Sequence, residues 1–142
     1  MQSVSADFCS DVRLALALSA KFAGLRGTEN SDGTWMSDLT IAGAHGCVLS
    51  QSEDGKYNLI CTFSEHISNE IEADKEFLTL ATQIKACMPE PKYSYRTATL
   101  DNMTNIIISS SNKTLAYLTL ESKAANPGTS FNYTVGMTIV GQ

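Results

Sequence analysis

Cys47-Val48-Leu49-Ser50-Gln51-Ser52-Glu53-Asp54-Gly55-Lys56-Tyr57-Asn58-Leu59-Ile60-Cys61-Thr62-Phe63 is the stretch on which the fold turns. Tyr57, Leu59, Cys61 and Phe63 recur at every second position, the period of a strand with one buried face. Glu53-Asp54-Gly55 fits a three-residue hairpin loop whose last position is left-handed, a conformation glycine adopts without a Cβ clash. Centring the hairpin on Asp54 sets Cys47 opposite Cys61 and Leu49 opposite Leu59. With Ser52 and Lys56 as the hydrogen-bonded closing pair, parity makes the two cysteines a non-hydrogen-bonded pair, with Cα atoms about 4.5 Å apart. A disulfide tolerates roughly 4.4–6.8 Å.

Outward from the hairpin, two segments carry helical spacing. Asp7 or Ser5 caps a first helix running to about Gly24, with Phe8, Val12, Ala15, Leu16, Ser19 and Phe22 on one face. A second runs from Ser68 or Asn69 to Met88, with Ala73, Phe77, Leu80, Ala81, Ile84 and Cys87 aligned, and is stopped by Pro89 and Pro91. Cys9 and Cys87 lie near opposite helix ends, which coincide if the helices are antiparallel. Of the three connectivities open to four cysteines, Cys47–Cys61 with Cys9–Cys87 follows from this arrangement without further assumption. The competing expectation is four buried free thiols.

The composition of residues 27–33 buries nothing and reads as a surface loop. A short strand carrying Leu39 and Ile41 should follow, then a bend at residues 43–46. Past the second helix, residues 95–100, 105–109, 115–120 and 131–140 are strand-like. Short turns between them imply antiparallel pairing. The expected fold is a single α+β domain over residues 1–142. It is a two-layer α/β sandwich whose mostly antiparallel sheet of five or six strands carries two helices on one face.

The net charge of -5 and pI near 4.9 speak against nucleic acid as a partner, since phosphate binding needs clustered Lys and Arg. No stretch approaches the roughly 18 apolar residues of a membrane-spanning segment. Met1-Gln2-Ser3 does not open a signal peptide. Oxidised cysteines would place the chain in a periplasm or outside the cell, its signal peptide absent from this chain.

His45, Cys47, Cys61 and His66 surround one hairpin and define one chemical alternative, a zinc-binding domain or a small Cys/His-dependent enzyme. Their spacing matches no common zinc knuckle, and strand cysteines facing a core are poor nucleophiles. Trp35, Tyr93 and Tyr95 define another, a small-ligand carrier with an aromatic groove. Glu70 and Asp74 belong to an acidic helix start suited to the helix dipole or to a basic partner. No cofactor is implied. The lack of a coherent catalytic set leaves as first expectation a non-enzymatic exported binding protein, inhibitor- or immunity-like, with a protein partner.

Overall fold

The hairpin forms in the register its turn dictates. In the computed structural model, which describes residues 6–126 and 130–142, Cys47 pairs with Cys61 and Leu49 with Leu59. Gly55 takes φ 85°, and Ser52 N–H donates to the Lys56 carbonyl at 2.8 Å. The Asp54 carboxylate accepts from the Ser52 hydroxyl and from Lys56 N–H, which hold it below the usual carboxylate range.

The element order is α1 (Ala6–Ala17), a 3₁₀ helix (Ser19–Leu25), β1 (Arg26–Glu29), β2 (Trp35–Ser37), β3 (Gly46–Gln51), β4 (Tyr57–Ile67), α2 (Glu70–Cys87), β5 (Ser94–Leu100), β6 (Met103–Ser110), β7 (Lys113–Asn126) and β8 (Ser130–Ile139). All eight strands join one open antiparallel sheet in the order β1-β2-β3-β4-β8-β7-β6-β5. Two four-strand meanders meet where β4 pairs with β8, and α2 carries the chain from the middle of the sheet to its far edge. Asn69 caps α2 by accepting from the amides of Ile71 and Glu72.

Three sequence expectations are corrected. Among the described residues the sheet has eight strands, not five or six. One of the additional strands, β1, lies where composition implied only loop; every β1 side chain is exposed, so no apolar alternation marks it. Leu39 and Ile41 form no strand: Asp11 of α1 accepts from Ala42 N–H at 2.8 Å and Gly43 turns at φ 93°, which pins this segment to the helix. The first helix also stops at Ala17. Buried Ser19 turns its hydroxyl back onto the Leu16 carbonyl at 2.9 Å, and the chain continues as a 3₁₀ helix. Ser5, an alternative cap, lies outside the described residues.

Register assigns the core to one side of the sheet. Leu49, Leu59, Cys61, Ile108, Leu118, Val135, Met137 and Ile139 are buried on the same face, against Phe8, Val12 and Phe22 from the N-terminal helices and Phe77, Leu80 and Ile84 from α2. Among the described residues no helix is long and apolar enough to cross a membrane.

Candidate functional site

The cysteines are joined as Cys9–Cys87 and Cys47–Cys61, and no free cysteine stands among the described residues. The hairpin pair closes to 4.1 Å between Cα atoms, nearer than the roughly 4.5 Å of an unbonded cross-strand pair. Cys47 and Cys61 therefore carry no thiolate for a metal or a substrate. His45 and His66 are both exposed; His66 sits at φ 58° with its Nε2 3.9 Å from Glu65. The structure does not unite these four residues into a site.

Trp35 and the pair Tyr93 and Tyr95 also stay apart. Trp35 is on β2, near one edge of the sheet, whereas Tyr95 is on β5 at the other, with Tyr93 just before it. Each aromatic group has a local task. The Arg26 guanidinium lies 5.3 Å from the Trp35 ring centre and 5.1 Å from that of Tyr57, and donates to the Tyr57 hydroxyl at 3.0 Å. This arrangement ties β1 to β2 and, across β3, to the start of β4. Tyr95 donates its hydroxyl to the Met88 carbonyl at 2.5 Å, fastening the end of α2 to β5.

Burial, with Glu90 and Tyr93 adding to it, pushes the Tyr95 phenol up to about 12. The folded protein thus holds this proton more tightly than the unfolded chain does. The contribution to stability is complete below the ordinary tyrosine value near 10 and is lost as pH rises from about 10 towards 12. In an alkaline absorbance titration the Tyr95 phenol should ionise as a late step near pH 12, and Tyr95→Phe should remove that step. An unchanged titration curve in the variant would refute the assignment.

Glu70 and Asp74 line a recess of about 180 Å³ with Asp101, Asn102, Ser122 and Tyr133, which makes it acidic and polar. It holds no cation. A larger groove, about 510 Å³, lies on the sheet face turned away from the helices. Its floor is a cross-strand row of small or short side chains, Thr62, Gly136, Thr119 and Asn105, from β4, β8, β7 and β6. A Cβ on residue 136 would stand 3.0 Å from the Cys61 carbonyl oxygen, so glycine fits closely against the neighbouring strand.

One wall is the row two residues away, Ile60, Thr138, Tyr117 and Ile107, which Val48 and Met36 extend across β3 and β2. Thr134, Glu121 and Met103 form the other. Walls four residues apart along a strand stand roughly 13 Å from each other. The lining is mostly apolar, with threonine hydroxyls and one amide between: Thr119 donates to Asn105 Oδ1 at 2.8 Å. Among the described residues that line it Glu121 is the only acid, and it is paired with Lys123 at 3.5 Å.

Sequence reasoning missed this groove because its residues occupy the alternate positions that read as the wet side of each strand. No family model, curated protein or solved structure matches the chain. What fold and surface define is a disulfide-braced α+β domain with helices on one face of its sheet and an open groove on the other.

Proposed function

We propose that this is a non-catalytic binding protein of a periplasm or extracellular space, a two-layer domain that receives a protruding segment of a protein partner on its open sheet face. The observation that carries the reading is the groove. A small-residue floor between two higher walls is wide enough for one inserted loop or strand, and the mainly apolar lining provides desolvation energy. Met36 and Ile60, 45% and 37% exposed on the same face, extend the apolar surface beyond the groove. Two disulfides support an oxidising compartment. In the manner of inhibitor- and immunity-type proteins, binding itself would be the activity.

The test compares capture from an extract of the source cell envelope by the wild type, by Thr119→Arg on the groove floor, and by Leu78→Asp on the exposed side of α2. A protein retained by wild type and Leu78→Asp should be lost at least about tenfold by Thr119→Arg, the effect expected of a filled hot spot. Equal retention by Thr119→Arg, or no retention by the wild type, would overturn the proposal. The groove volume is also within the roughly 300–1,000 Å³ of small-molecule sites, which favours as second reading a carrier of a small, largely apolar ligand. Added mass in native mass spectrometry, absent from Thr119→Arg, would identify that case.

A further inference from the structure

The two edges of the sheet are built differently. β1, at one edge, has four residues, two of them charged, and a register irregularity between Arg26 and Glu29. Short length, charge and irregularity are what blunt an edge against further pairing. β5, at the other edge, has seven residues, Ser94-Tyr95-Arg96-Thr97-Ala98-Thr99-Leu100, paired with β6 without a bulge and carrying a single charge. Among the described residues no further strand pairs with its outer rim, which leaves a template for another strand.

Parity shows which backbone groups face outward. Leu100 and Met103 flank the two-residue turn Asp101-Asn102 as bridge partners, so they exchange both hydrogen bonds. Leu100, Ala98, Arg96 and Ser94 therefore bond inward to β6. The N–H and C=O groups of Tyr95, Thr97 and Thr99 point away from the sheet.

We propose that β5 pairs antiparallel with β5 of a second copy of this chain, about a two-fold axis at Thr97, which joins the two sheets into one. The strand is self-complementary in this register alone. Thr97 meets Thr97 and Tyr95 meets Thr99, so all three outward-facing residues of each copy fall opposite outward-facing residues and make about six backbone hydrogen bonds. Arg96, the only charge on the strand, falls opposite Ala98 and not opposite its own copy. The pairing uses neither wall nor floor of the groove, so it stands independently of the proposed function.

Residue 97 lies on the axis, where hydrogen-bonded partners have Cα atoms about 5.5 Å apart, inside the disulfide window of roughly 4.4–6.8 Å. Thr97→Cys should give a reducible covalent dimer on mild oxidation. Thr99→Cys, displaced from its own copy by four residues along the strand, should not. Thr97→Pro deletes only an outward N–H, which an edge strand tolerates, and should shift the wild-type dimer to monomer in sedimentation analysis, with an unchanged far-UV spectrum. Three results would each overturn the proposal: a wild type that sediments as monomer throughout the micromolar range, equal cross-linking of both cysteine variants, or a Thr97→Pro variant that remains dimeric. If a monomeric wild type instead lost a foreign partner in Thr97→Pro, the edge would belong to that partner.

Discussion

Replacing the Cys9–Cys87 pair by alanine should lower the unfolding free energy by about 4–5 kcal/mol, more than the loss from replacing Cys47–Cys61. The first bond joins residues 78 apart in sequence and the second residues only 14 apart. In the chain-entropy account, closing a loop of the first size restricts the unfolded chain by about 4–5 kcal/mol, and one of the second by about 3. Position adds to the difference. Cys9 in α1 and Cys87 at the end of α2 bond the N-terminal helix to the helix that spans the sheet, and Cys87 is buried in the core. The hairpin bond reinforces strands that their backbone ladder already holds in register. Against a total of about 5–15 kcal/mol for a domain, loss of the long-range bond takes away a large share of stability. Denaturant titrations of Cys9→Ala/Cys87→Ala and Cys47→Ala/Cys61→Ala check this through their midpoints. A reversed ranking would show that native-state packing, not the unfolded chain, sets the value of these bonds.

Local chemistry made part of this architecture legible and topology hid the rest. The Asp54 turn specifies its own register, so pairing of Cys47 with Cys61 follows from parity within one short stretch. Asn69 marks the start of α2 because its side chain caps the two amides that the sequence leaves open. β5 to β8 are legible as strand-like segments, β8 by the alternation of Phe131, Tyr133, Val135, Met137 and Ile139, although β7 extends well past Leu120. β1 gives no such signal because none of its side chains is buried. The groove was out of reach for a different reason. Thr62, Gly136, Thr119 and Asn105 come together only through the β4–β8, β8–β7 and β7–β6 registers, the first of them between strands far apart in sequence. The same strand order explains why Trp35 and Tyr95, both plausible linings of one aromatic groove, stand near opposite edges of one sheet.

Gly141→Ala should cost about 2–3 kcal/mol, an effect invisible from the sequence, where this residue simply trails the last strand. A Cβ at this position would lie 2.0 Å from the Tyr57 carbonyl oxygen, inside the van der Waals surface of a backbone atom that cannot rotate away. Relief requires residues 141 and 142 to leave β4. That movement breaks the 2.9 Å bond from Gly141 N–H to Asn58 Oδ1 and the 3.0 Å bond from Gln142 N–H to the Ser19 carbonyl, which anchors the 3₁₀ helix. Asn58 and Ser19 then lose partners at the seam between the helices and the sheet, which adds to the cost. Gly24→Ala is the matched control. Nothing lies within 4 Å of a Cβ at that site, and restricting the unfolded chain should leave stability unchanged or raise it by about 0.4–1 kcal/mol. Thermal and denaturant unfolding should therefore show a loss of stability in Gly141→Ala and none in Gly24→Ala. If both shifted alike, close approach of the last residues to β4 would not be what glycine provides there.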